Sequence, residues 1–219
     1  MSNRPQTEEE LQKREAVGVI RASRFIRRYA RSHKAISMVT ICAIHREIFK
    51  EAWPEIAGRY RDENLKITCS KHLPPHHSEV ASLMLQKDAE LQEKLKTLKT
   101  VAGIINDKNS EEAELIAAFD SIIRIAAWLH HAITFIHPFR EGNGRTARLS
   151  ANLILERYGM VGISVKIEKE NKNQYHQALA QIDNANDMEP LVNLIYDGLL
   201  DRYQGVPVKY YGVKNNHPY

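Results

Sequence analysis

The sequence predicts an all-α fold interrupted by one short β-hairpin, and three observations carry that reading. Apolar residues recur at spacings of three and four over most of the chain, as in Leu115, Phe119, Ile122, Ala126, Leu129 and Ile133, which fall on one helical face. One region, between Gly58 and Cys69, instead shows short alternating runs on either side of a turn. No internal repeat, low-complexity block or long linker marks off a second domain, so the 219 residues, 43% of them hydrophobic, are enough for one well-buried core.

Taken in order, residues 1–13 are polar and predict a mobile extension ahead of a single domain over 14–203. Residues 14–30 read as the first helix, with Val17, Ile20 and the Phe25-Ile26 pair offered for burial, and residues 34–50 as the second, with Ile36, Ile44 and Ile48 inward. Past Trp53-Pro54, the short runs 58–61 and 65–69 flank the turn-prone Asp62-Glu63-Asn64 and predict a hairpin, ended by Leu73-Pro74-Pro75. Helical period resumes over 79–98 through Val80, Leu83, Met84, Leu91, Leu95 and Leu98. After a loop at 107–110 comes the most apolar helix, expected to be the central one, which the break at Pro138 ends. Residues 146–158 form the next, with Leu149, Leu153 and Ile154 inward and Gly159 as its stop. A brief extended piece at 163–167, helices near 173–183 and 188–202, and a tail over 204–219 complete the chain.

Charge and composition narrow the classes of function. The formal charge is +4 and the pI near 9.0, and much of the excess is a stripe on the first helix, Arg21, Arg24, Arg28 and Arg31 with Arg27 and Lys34 beside them. Without interleaved aromatics or a recognisable module, that stripe reads as a solvated face, and no nucleic-acid partner is expected. Cys42 and Cys69 lie far apart without Cys-x-x-Cys spacing, which argues against a disulfide framework or a thiolate zinc site and suits a reducing compartment. No membrane span or signal peptide is read from the sequence, so a cytoplasmic location is expected.

Directly after the central helix stands His137-Pro138-Phe139-Arg140-Glu141-Gly142-Asn143-Gly144-Arg145-Thr146-Ala147-Arg148. Each residue has an ordinary explanation by itself: the glycines as a turn capping a surface helix, His137 as a boundary residue before proline. Together they form an inventory suited to a nucleoside triphosphate. An imidazole takes a proton near neutral pH, and a carboxylate four residues on, Glu141, is a hard oxygen ligand for Mg²⁺. Gly142-Asn143-Gly144 lets backbone N–H groups converge on one concave spot, and a helix beginning there adds positive potential beside Arg145 and Arg148. Phe139 reads as an anchor beneath the turn. The other histidine groupings, His72, His76 and His77, then His130 and His131, contain no H-E-x-x-H pair, so a zinc hydrolase site is not expected.

The run resembles the H-x-F-x-[DE]-G-N-G-R-x-x-R signature of the Fic (filamentation induced by cAMP) domain family at every specified position, and in its AMP-transferring form. Ala57-Gly58-Arg59-Tyr60-Arg61 is similar to the stretch leading into the family's flap, and Tyr175-His176-Gln177-Ala178-Leu179 to its late helix, so the resemblance extends over residues 35–200. It implies a Fic-like all-α helical core with a short β-hairpin flap, and a protein adenylyltransferase that moves AMP from ATP, with Mg²⁺, onto a Ser, Thr or Tyr hydroxyl of a target protein. Implied roles are His137 as general base, Glu141 as metal ligand, and Gly142, Asn143, Gly144, Arg145 and Arg148 as phosphate contacts, the Asn143 side chain among them. Tyr175 lines the adenine pocket or is plain core. The flap main chain near Lys66, Ile67 and Thr68 clamps the target by strand addition. Family members that act as kinases or move phosphocholine alter the Gly-Asn-Gly portion, which is intact here. A kinase-like activity and a nucleotide-binding interaction or toxin module without transfer stand as the alternatives. The family's inhibitory [ST]-x-x-x-E-[GN] helix, whose glutamate pairs with the second motif arginine, is matched only in its first part by Ser110 to Glu114 and Ser164 to Glu168. Restraint is therefore expected from a separate small antitoxin-like chain facing Arg148.

Overall fold

The computed structural model describes residues 4–32, 34–67, 70–163 and 172–204. Among them are seven α-helices: α1 (Glu8–Arg31), α2 (Met38–Phe49), α3 (Val80–Asn106), α4 (Glu112–Ile136), α5 (Asn143–Arg157), α6 (Lys172–Ala185) and α7 (Glu189–Gln204). The all-α prediction is met. The extended piece expected near 163–167, apart from Ile163, and the tail beyond Gln204 lie outside the described residues.

The central helix is α4, as expected. Ile122, Ile123, Ala126, Leu129, Ile133 and Ile136 are essentially removed from solvent, and the helix lies against α3, α5 and α7. By length and composition α4 could cross a membrane, which the sequence reading did not allow for, but 56% of its most apolar window is buried among its neighbours, as befits a core helix. α5 packs Leu153, Ile154 and Leu155 into the same core and meets α1 on its other side. α2 inserts Ile41, Ile44 and Ile48 beside α1.

Two boundaries differ from expectation for identifiable reasons. α1 begins at Glu8, inside the stretch expected to be mobile, because Thr7 caps it by accepting from the Glu10 N–H at 3.3 Å. Glu8, Glu9 and Glu10 suit its positive end, the Lys13–Glu9 and Arg14–Glu10 pairs staple its first turns, and Leu11 is buried. α5 begins at Asn143 rather than 146, since Gly142, at φ 76°, turns the chain straight into the helix. In the expected hairpin, no strand is assigned among the described residues of 58–76, where the Ser70 N–H donates to the Ile67 carbonyl at 3.3 Å, and Thr68 and Cys69 lie outside the described residues.

The buried face of α1 also differs. Val17 and Ile20 are 54% and 56% exposed, and the face turned inward is Leu11, Glu15, Gly18, Ala22, Ile26 and Ala30. Small residues on that stripe let backbones touch: a Cβ at Gly18 would lie 1.9 Å from the Ile48 carbonyl oxygen of α2. The basic stripe is partly neutralised, with Arg21 paired to Glu51 and Arg27 to Glu156.

Candidate active site

The site forms where α4 ends and α5 starts. His137 is the residue that stops α4, at φ 52° and ψ 56°, and its N–H still donates to the Ile133 carbonyl at 2.9 Å. A non-glycine residue in left-handed conformation is strained, and here that conformation ends the helix at the motif's first residue. Nδ1 lies 3.2 Å from the Thr134 carbonyl oxygen. A carbonyl only accepts, so Nδ1 carries the proton and Nε2 keeps its lone pair. Burial lowers the His137 pKa, with the Thr134 carbonyl and Glu141 pulling the other way and Arg61 and His72 adding to the depression. The imidazole is therefore neutral, and able to accept a proton, at neutral pH.

Beneath the turn, Phe139 is fully buried and stacks on His45 of α2, ring centroids 3.9 Å apart and 6° from parallel. The Asn143 side chain corrects the sequence reading. Its oxygen accepts from the Phe139 N–H at 2.9 Å and its nitrogen donates to the Phe139 carbonyl at 2.7 Å, so it closes the loop on itself and is not aimed at a ligand. The converging donors are instead backbone N–H groups of Asn143, Gly144 and Arg145, which head α5 and have no helical carbonyl one turn before them. Gly142 must be glycine: its φ is positive and a Cβ would come within 2.3 Å of the Phe49 ring.

The charged groups are linked. Glu141 Oε1 accepts from the Gly142 N–H at 2.8 Å and from Arg145 at 3.0 Å, and its side chain is half exposed. The other Arg145 nitrogen pairs with Glu15 of α1, and the guanidinium sits over the Phe49 ring. Arg148, mostly buried, hydrogen-bonds the Tyr175 hydroxyl and has no ion pair among the described residues. Tyr175 proves to be core, 5% exposed, its hydroxyl also 3.3 Å from Nε2 of the buried His130. Its edge reaches the larger cavity, while its hydroxyl lies between His130 and Arg148.

Two cavities meet here. A small one of about 280 Å³ is lined by His137, Glu141, Gly142, Asn143, Arg145 and their neighbours. A larger one, about 1010 Å³, opens beside it under Ile67 and His72 of the flap region and Tyr175 of α6. His137, Gly144 and Arg148 line both. Of the expected flap contacts, Lys66 is exposed and Ile67 reaches the large cavity, while Thr68 is outside the described residues. No cluster of three or more metal-ligating side chains occurs among the described residues. His131 and His72 both approach Asp183, at 2.8 and 4.0 Å. The Ser110–Glu114 match is far from the site, since Glu114 caps the opposite end of α4 by accepting from the Glu111 N–H.

Two residues that the sequence reading did not assign hold the site together. His45, fully buried, accepts the Gly58 N–H on Nδ1 at 2.9 Å and donates from Nε2 to the Glu141 carbonyl at 3.0 Å, tying the flap's base to the turn. Arg61 donates to the carbonyls of His137, Ile136, Glu63 and Pro75, while its own N–H meets the Pro138 carbonyl. A polar residue inside the apolar run Ile41, Ile44, Ile48 was a signal for His45; Arg61 stood in the flap-entry stretch without a stated task.

A base, two arginines and a helix-heading turn carried by a helical core define a Fic-type fold. A family profile described as Fic/DOC matches residues 35–155, and the chain belongs to that family. It is 28% identical over 187 residues to a Nematostella vectensis relative named protein adenylyltransferase Fic, covering 84% of this chain and 38% of that protein. A second relative of that name, from Aedes aegypti, is 30% identical over 74% of this chain and 27% of its own length. This chain thus spans about a third of the length of the curated relatives it matches. Solved structures agree on the fold: Fic-1 from C. elegans superposes with TM-score 0.62 at 27% identity, over 92% of this chain and 53% of that one. BepC from Bartonella tribocorum, solved with bound AMPPNP, does so with TM-score 0.62 at 17% identity, over 89% of this chain and 88% of that one.

Proposed function

We propose that this chain is a protein adenylyltransferase that moves AMP from ATP to a hydroxyl side chain of a target protein. The observation that carries the reading is His137 itself, a neutral imidazole with Nε2 free, facing the cavity that Arg145, Arg148 and the α5 N-terminus also line. The adenylyltransferase names of its relatives and the nucleotide analogue bound to BepC support it.

Nε2 takes the proton of the attacking hydroxyl, whose oxygen bonds to the α-phosphorus of ATP. The bond from that phosphorus to the bridging oxygen breaks, and pyrophosphate leaves with the electron pair. N–H groups heading α5 stabilise charge on the nonbridging oxygens, and Arg145 and Arg148 hold the pyrophosphate portion. Glu141 fits a Mg²⁺ site of the kind made by one carboxylate and substrate phosphates, being half exposed and hard in its donor atoms. When bound, the metal would supply neutralisation of phosphate charge, and Glu141 would offer it the oxygen that does not accept from Gly142 and Arg145. Adenine takes the larger cavity, and the flap backbone near Ile67 receives the target segment by strand addition.

Incubation of a target lysate with ATP labelled on the α- or on the γ-phosphate tests the reading. Label is expected on protein from the α-phosphate alone. His137→Ala should abolish transfer while nucleotide affinity stays within about twofold, since the base acts on the acceptor. Transfer of γ-label would establish kinase action instead, and equal loss of binding and turnover would remove His137 from its role.

A further inference from the structure

The family profile covers residues 35–155, yet the carboxylate most closely engaged with a motif arginine comes from outside it, on α1. Glu15 is 9% exposed, a burial that a carboxylate tolerates only when paired, and its partner is Arg145. We propose that Glu15 is a positioning residue for nucleotide binding: it holds the Arg145 guanidinium in the orientation that receives the β- and γ-phosphates of ATP. The inference rests on the nucleotide reading above and adds the residue that readies its arginine.

Three contacts fix that guanidinium. Glu15 takes one terminal nitrogen, Glu141 takes the other at 3.0 Å, and Phe49 lies beneath, 5.2 Å from ring centroid to guanidinium carbon. Glu141 is half exposed and bonds Arg145 through Oε1 alone, so a metal ion held by its other oxygen would share its charge and weaken its hold on Arg145. Glu15 keeps its hold, its side chain being 12% exposed and fixed to a helix whose Gly18 meets the backbone of α2 three residues on. Arg145 lines the small cavity with His137 and Arg148, whereas Glu15 lines neither cavity. The carboxylate therefore stands behind the arginine and does not fill the place of a phosphate. It also contacts Arg145 and not Arg148, the arginine to which the family resemblance assigns an inhibitory glutamate.

The physical gain is preorganisation. An arginine side chain has many rotamers to lose, and one already held in place loses fewer of them when phosphate binds. Its remaining N–H groups stay directed at the cavity, as a supporting contact behind a binding group requires.

The test measures binding of ATP and of AMP to wild type, Glu15→Gln and Glu15→Ala by calorimetry, with thermal melting as a control for folding. Wild type is expected to bind both nucleotides; if it binds neither, the nucleotide reading fails, independently of Glu15. In both variants ATP should bind about tenfold more weakly, the loss that goes with one charge-assisted contact. AMP, which lacks the phosphates that Arg145 receives, should bind within about twofold of wild type. Equal weakening of ATP and AMP would mean that Glu15 only supports the fold, and tighter ATP binding would mean that it restrains Arg145. Either result, or unchanged binding of ATP, overturns the proposal.

Discussion

Gly142 shows how much of the site depends on a missing side chain. Its φ of 76° belongs to the left-handed region, where an L-residue costs roughly 1–2 kcal/mol, and the space a methyl group would take is filled by the Phe49 ring. Adding the overlap of a tightly packed interior, Gly142→Ala is expected to lower stability by about 3 kcal/mol in urea unfolding and to weaken ATP binding as α5 shifts. A variant with wild-type stability would show that Phe49 yields and that the turn is softer than its geometry implies. The need for glycine here was legible from the motif alone, whereas the task of its neighbour was not. Asn143 was assigned to phosphate by its place in the motif, but the turn directs its side chain inward onto Phe139, and only the folded backbone reveals that. Tyr175 shows the same limit: an aromatic residue on an amphipathic helix has the same spacing whether it lines a base pocket or is core, and burial in the folded chain selects the second.

Among the elements, the flap depends on one side chain. It has no strand pairing of its own among the described residues, so Arg61 supplies what a ladder would, joining Glu63 and Pro75 of the flap region to Ile136 and His137 at the end of α4. Lysine has a single compact ammonium in place of the planar fork and cannot reach four carbonyls at once. Arg61→Lys is therefore expected to cost about 2 kcal/mol, with faster hydrogen exchange over residues 58–75 and little change in α6 and α7. Uniform exchange rates in wild type and variant would mean that the flap is held by other contacts. Helix positions were largely legible in the sequence, because Ile122, Ala126, Leu129 and Ile133 repeat at a period that burial then enforces. The inward face of α1 was not. Hydrophobicity favoured Val17 and Ile20, but close approach to α2 selected the small Gly18 and Ala22, and the Arg145 pair, 130 positions away, turned Glu15 inward. A contact between residues so far apart in the chain leaves no local pattern to read.

For the molecule as a whole, the buried imidazoles tie the site to the stability of the fold. His45, His130 and His137 are all held neutral chiefly by burial, His45 with its pKa lowered to about 4. As pH falls below about 6.5 the unfolded chain takes up protons that the folded chain refuses, so stability is complete above that value and declines toward pH 4. His45 alone accounts for about 3 kcal/mol of the decline, and the other two steepen it. His45→Gln keeps an acceptor for the Gly58 N–H and a donor for the Glu141 carbonyl but has nothing to titrate. Its stability at pH 7 should be lower than that of wild type, with a shallower fall between pH 6.5 and 4 in urea titrations across that range. Parallel curves for the two proteins would show that His45 does not set the acid limit. Because protonation of Nδ1 removes the acceptor for Gly58, acid should loosen the join between flap and turn before it opens the α4–α5 core, and nucleotide binding should fail at a pH where helix content is still intact.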